Sequence, residues 1–344
     1  MTRAKSHLIL VGNSNLLVND FTFYKLIEFI KSRHGYFNIP LNNYIKGNFK
    51  VESLNIKSDI SDEIYTLSQN FYHVFQKFII ENIKQLPGTE WPYKILGREM
   101  TENLNSIGYG YSNFSNTSLI NINDELLPLS PDWQVLLYCY YIMRQHYCSS
   151  KNIYDSYSLK IRQEIKANNG RLHFIDIGCG PGTCGISFAE NFLIDASKML
   201  YIGIDVSSSM KNMALRLIDA TFNGTLFTRF ESSLNNLSEQ YWENCSEAPS
   251  LIIFNISYFF SNVKADFTEQ LGIRIKEIIS KYPLNRYKII IQHSEHDTKL
   301  NSYKVFMSIL KESLFIVESN KASFTYKLNS IDKTFDFCYT IMSN

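Results

Sequence analysis

In Arg171–Glu190, RLHFIDIGCGPGTCGISFAE, three glycines alternate at Gly178, Gly180 and Gly182, the first two residues after Asp176. A residue without a side chain lets a ligand lie against the backbone, and the amides that open the next helix point towards that ligand. A dinucleotide fingerprint needs glycine at 183, where Thr183 stands. A second carboxylate, Asp205, closes the apolar run Met199–Ile204, and a carboxylate there can accept hydrogen bonds from both hydroxyls of a ribose. Asn255 and Tyr258 fall within a further apolar run, 250–260, at the strand end where open parallel sheets bind ligands. They are the residues nearest a reacting centre.

Other chemistries are less well supported. His293, Glu295 and His296 in HSEH read as exposed loop residues, since no third metal ligand lies nearby. The six cysteines form no CxxC pair, which removes zinc ribbons and disulfide frameworks and leaves reduced thiols as the expectation. Cys179 and Cys184 flank the glycine loop at a spacing unlike a redox pair, and packing explains small residues there.

The elements that must hold these residues alternate along the chain. Leu172–Ile177 reads as a strand, the glycines as a loop, and Ile186, Phe188, Ala189 and Phe192 as one face of a helix. Ser207, Ser208 and Ser209 cap a helix containing Met210, Met213, Leu215 and Leu217, and a short run, Leu226–Phe230, precedes Glu231 and Ser232. Then come a helix around Leu271, Ile275, Ile278 and Ile279, a strand Tyr287–Ile291, a helix Ser302–Leu310, and β runs Ser323–Leu328 and Phe335–Ile341 about a turn at 329–332. Upstream, 61–86 fits an amphipathic helix capped by Ser61, with Ile64, Leu67, Phe71, Val74 and Phe78 on one face and Pro87-Gly88 as its stop. Residues 89–128, with Trp91, Tyr93, Tyr109 and Tyr111, read as irregular covering structure, and helices are expected at 131–147 and 154–167.

The Asp-x-Gly-x-Gly-x-Gly pattern, with Asp205 following, resembles the first motifs of class I S-adenosylmethionine-dependent methyltransferases over residues 130–344. The resemblance implies an α/β fold, a doubly wound, seven-stranded Rossmann-like sheet behind a mostly helical N-terminal region. It implies S-adenosyl-L-methionine, a ligand without phosphates, bound by Asp176, Gly178, Cys179, Gly180, Gly182, Asp205, Val206, Met210, Glu231, Ser232 and Asn255. Asn-Ile-Ser-Tyr at 255–258 is similar to the motif of adenine-amino methyltransferases, with Ser257 in place of proline, and implies that Asn255 and Tyr258 position the acceptor.

Residues 2–37, beginning TRAKSHLILVGN, resemble the end of the second motor domain of superfamily 1 RNA/DNA helicases, with Arg3, Gly12-Asn13 and a helix Phe21–Lys31 in order. No GxxxxGK[ST] loop exists in the chain, so helicase activity is excluded. This gives three expected segments: 1–40 a helicase-like remnant, 41–129 a linker and cap, and 130–344 the catalytic domain. The resemblance further implies the expectation that Met1 is an internal methionine of a longer helicase–methyltransferase polypeptide, or that the gene was truncated.

Net charge is +1, but residues 1–50 hold seven of the Lys/Arg against two acids, so any basic surface is local. With 45% apolar residues the chain has ample core, and no stretch reaches the ~20 apolar residues of a membrane span, so a cytoplasmic protein is expected. The expected reaction is methyl transfer to a nucleic acid. A small-molecule or protein acceptor is the alternative, and a non-catalytic binding module the alternative of another class.

Overall fold

Seven runs rich in Ile, Leu, Phe and Tyr become one sheet in the computed structural model, which describes residues 11–12, 51–52, 64–83, 118–122, 125–295, 297–328 and 331–344. They are β1 (Arg171–Ile177), β2 (Lys198–Ile204), β3 (Phe227–Glu231), β4 (Leu251–Ser257), β5 (Arg286–His293), β6 (Phe315–Leu328) and β7 (Ile331–Ser343). Their order across the sheet is 3-2-1-4-5-7-6, with β1 to β5 parallel and β7 antiparallel to both neighbours. A two-residue strand, Ile64–Tyr65, extends the β6 edge, so the seven expected strands carry a short eighth. This is the expected doubly wound sheet, and strand order reverses between β1 and β4, the switch point at which such sheets bind ligands.

Period-two alternation assigns the two faces. Leu172 and Phe174 of β1 join a core packed by the N-terminal helices, whereas Ile175 and Ile177 join the core on the opposite face. The first face is covered by α1 (Gln69–Phe75, a wider π turn Gln76–Ile80, then Glu81–Ile83), α2 (Pro131–Tyr138, a π turn Cys139–Met143, then Arg144–Ser156), α3 (Ser158–Ala167), α4 (Thr183–Phe192) and α5 (Ser208–Phe222). The second carries α6 (Glu239–Glu247), α7 (Ala265–Lys281) and α8 (Asn301–Leu310).

Several boundaries differ from expectation for identifiable reasons. Ser68, not Ser61, caps α1, its Oγ accepting from the Phe71 amide at 3.0 Å, while Ile64 belongs to the edge strand. The expected break between helices at 148–153 is helical. Its polar residues are buried and bonded, Ser149 to Gln292 and Ser150 to Cys184, so a run that looks like a loop is a polar core face. β6 and β7 are longer than predicted, and in β6 Glu318, inside an apparently polar stretch, accepts from the hydroxyls of Tyr157 and Tyr339. At the end of 89–128 and running one residue past it, a hairpin pairs Ser118–Ile122 with Glu125–Leu129, and the aromatics Trp91 to Tyr111 lie outside the described residues. His293 is not an exposed loop residue. It ends β5, pairs with Cys338 across the ladder, and is buried against the Tyr303 ring at 4.7 Å; His296 lies outside the described residues.

The chain divides into two compact units, Met1–Ile60 and Ser61–Asn344. In the first, Val11–Gly12 pairs antiparallel with Val51–Glu52; Arg3, the helix 21–31 and the boundary at 40 lie outside the described residues. In the second, Asn70 of α1 donates to the Thr221 carbonyl of α5 at 2.6 Å, so part of the expected linker region packs with the sheet. Among the described residues no helix is long and apolar enough to cross a membrane.

Candidate functional site

Beyond the C-terminal tips of β1, β2, β3 and β4 lies a cavity of about 790 Å³, a volume suited to a cofactor-sized ligand. Each strand contributes residues at or just beyond its C-terminal end. β1 contributes Gly178 and Gly180, β2 contributes Asp205, Val206, Ser207 and Met210, β3 contributes Ser232 to Asn235, and β4 contributes Ser257 to Phe259.

The glycine loop and the second carboxylate form one unit. Asp205 accepts the Gly180 amide at 3.0 Å and the Ser207 amide at 2.8 Å, which ties the loop after β1 to the start of α5. Burial pushes this carboxyl above the ordinary aspartate range, and the two amides oppose the shift. A carboxylate offers about four lone-pair sites, so Asp205 retains acceptor capacity towards the cavity. Gly180 has φ +51°, and a Cβ there would meet only the Met210 sulfur, at 4.0 Å, so its open side belongs to the cavity. Gly182 sits deeper, where a Cβ would come within 3.1 Å of Ala214 Cβ, and serves the packing of loop on helix.

Not every residue named by the sequence reaches the cavity. Gly178, Gly180, Asp205, Val206, Met210, Ser232 and Tyr258 line it, whereas Asp176, Cys179, Gly182, Glu231 and Asn255 are not among its lining residues. Asp176 and Asn255 stand opposite each other in the β1–β4 ladder, facing the N-terminal helices. Asn255 Nδ2 donates to Asp176 Oδ1 at 2.7 Å and to Ser257 Oγ at 3.1 Å, and its Oδ1 accepts from the Tyr154 hydroxyl at 3.2 Å. The expected amide clamp for an acceptor amino group is therefore committed to the core. Tyr201 donates to the other Asp176 oxygen at 3.2 Å, and burial pushes Asp176 up to about 6 against those hydrogen bonds. Glu231 turns to Arg229 at 2.7 Å, and Cys179 is buried beneath the loop with its Sγ 3.5 Å from the Gly180 carbonyl.

Tyr258 is the unusual member. Its φ of +52° is a left-handed conformation that costs a non-glycine residue about 1–2 kcal/mol. It is held there by its N–H, which donates to the Gln292 carbonyl at 2.8 Å, and by its hydroxyl, which donates to Ser149 Oγ at 3.1 Å. The His146 ring lies flat on its ring at 4.1 Å and 5°. Burial holds the His146 imidazole down to about 3, so it is neutral at pH 7.

Sequence reasoning missed Tyr138 of α2, Phe259, and the residues of α7 and its entry (Lys264, Asp266, Phe267, Gln270, Arg274) that complete the cavity. Only the core face of α7 carries an apolar period. The cavity face mixes charge and aromatic character and gives no periodic signal. Among the described residues no three His, Cys, Asp or Glu side chains come together as a metal site.

No family model and no curated protein matches the chain. Solved structures with a similar fold include precorrin-6y C5,15-methyltransferase from Geobacter metallireducens, at 9% identity and TM-score 0.34 over 54% of this chain and 87% of that one. Magnesium protoporphyrin IX methyltransferase from Synechocystis, determined with bound S-adenosylhomocysteine, aligns at 15% identity and TM-score 0.33 over 59% and 87%. A proposed class I S-adenosylmethionine-dependent methyltransferase from Listeria monocytogenes aligns at 11% identity and TM-score 0.41 over 80% and 87%. These are likenesses of fold at low identity, and the functional reading rests on the chain's own strand order and cavity.

Proposed function

We propose that the chain is an S-adenosylmethionine-dependent methyltransferase. The observation that carries this reading is the bond from the Gly180 amide to Asp205 beside a cavity at the switch point of a 3-2-1-4-5-7-6 sheet. The donor set fits an adenosyl sulfonium. Asp205 would take the ribose hydroxyls, Ile204, Val206, Met210 and Leu234 form an apolar slot for a neutral flat base, and the open side of Gly180 admits the amino-acid portion. The cations that line the cavity, Lys264 and Arg274, stand on or before α7, and Arg274 is paired with Glu239 and Glu277. S-adenosylmethionine, when bound, supplies a methyl group already activated on sulfur, so the chain's task is in-line positioning and exclusion of water. Tyr258 at the β4 tip and Tyr138 of α2, which both line the cavity, would form the wall against which an acceptor lies.

The acceptor we assign is a nucleic acid, supported by the resemblance of residues 2–37 to the end of a helicase motor domain; a small molecule or a protein is the alternative. Transfer of labelled methyl groups into RNA, DNA and a small-molecule extract tests both levels. Label in RNA or DNA supports the assignment, and label confined to the extract overturns the acceptor while keeping the reaction. S-adenosylmethionine bound with no transfer to any of the three, nor to a protein extract, favours the non-catalytic module.

A further inference from the structure

Tyr258 would be free to swing at a strand tip if only its backbone fixed it, since a tyrosine ring has two soft torsions. Instead, two residues one helical turn apart on α2 hold its side chain. His146 covers one ring face with near-parallel stacking, and Ser149, three residues on, takes the hydroxyl at 3.1 Å. Positions i and i+3 share a helix face, so α2 presents both contacts together. Ser149 is itself fixed, its Oγ lying 3.1 Å from Gln292 Oε1, and Gln292 is bonded through Nε2 to Ser150 Oγ at 2.9 Å. The same Gln292 accepts the Tyr258 amide through its carbonyl. The neighbouring Tyr138, which lines the cavity, has its hydroxyl 3.4 Å from His146 Nδ1. One face of the Tyr258 ring is thereby occupied by protein, while the residue still contributes to the cavity wall.

We propose that His146 and Ser149 are positioning residues that fix the Tyr258 ring at the methyl end of the cavity, so that α2, outside the glycine motifs, sets where the acceptor lies. No proton transfer is asked of His146: its role is that of a flat ring. The inference rests on the methyltransferase reading for the identity of the methyl end. The clamp itself can be observed without any acceptor.

The test uses the full chain with ring-labelled tyrosine and S-adenosylmethionine carrying a ¹³C methyl group. In the wild-type chain the Tyr258 ring should give separate signals for its two edges, because a stacked and hydrogen-bonded ring turns slowly. The bound methyl signal should also be displaced from its free position by the nearby ring current. His146→Ala should merge the Tyr258 edge signals and move the bound methyl signal back towards the free value. His146→Phe, which keeps a flat ring and loses the nitrogens, should restore both. Ser149→Ala should merge the edges alone. With any acceptor found to take label, His146→Ala should lower kcat/KM about tenfold at unchanged S-adenosylmethionine affinity, with rescue by His146→Phe. Separate edge signals that persist in His146→Ala, or a bound methyl signal identical in wild type and His146→Ala, overturn the clamp. Failure of S-adenosylmethionine to bind the wild-type chain overturns the methyltransferase reading instead, and the edge signals still decide whether the clamp exists.

Discussion

Asp176 shows how one residue can satisfy a motif and still serve the core. It precedes the glycines as the pattern requires, yet its oxygens receive Asn255 and Tyr201 beneath the loop. Burial raises its folded-state value to about 6, above the ordinary value of the unfolded chain. Between pH ~4 and ~6 the folded chain therefore holds a proton that the unfolded chain has released, so stability should fall as pH rises through that window. The drop should be on the order of 2–3 kcal/mol, and Asp176→Asn, which can still accept from Asn255, should flatten it. Urea unfolding at a series of pH values measures both slopes; equal slopes would show that Asp176 is ionised in both states. At the open end of the same loop, Gly180→Ala should cost stability by about 1–2 kcal/mol, the price of a left-handed alanine. Its new methyl group projects into the cavity, so S-adenosylmethionine affinity should fall as well, tenfold or more by equilibrium dialysis.

Among the elements, α1 offers a check on packing away from the site. Ser68 caps it and also donates to Glu190 of α4, so Ser68→Ala should destabilise the chain by about 1 kcal/mol or more in urea. Because α1 does not line the cavity, S-adenosylmethionine affinity should be unchanged. The strands carrying the glycine loop, Asp205 and Tyr258 were legible because each is a short, strongly apolar run with a polar residue at its tip. What sequence reading lost was polar residues buried through partners distant in the chain. Ser149 and Ser150 look like a break until Gln292, some 140 residues later, accounts for them. Asn255 looks available until Asp176 and Tyr154 claim it. His146 carries no local signal at all, since stacking on Tyr258 is a tertiary fact.

At the scale of the whole molecule, the division at Ile60 places everything that lines the cavity within Ser61–Asn344. A fragment 61–344 should therefore unfold cooperatively and bind S-adenosylmethionine as the full chain does; loss of either property would assign residues 1–60 a role in the fold. Ligand at a hundred times its dissociation constant stabilises the binding state by about 2.7 kcal/mol, so the same fragment should also show a raised Tm with S-adenosylmethionine. The most direct measurement is a calorimetric titration of S-adenosylmethionine into the full chain and its Asp205→Ala variant. A charged hydrogen-bond acceptor contributes about 1.5–3 kcal/mol, so one-to-one binding should weaken roughly ten- to a hundredfold in the variant. An absence of binding to the wild-type chain, or equal affinity in the two proteins, would contradict the account.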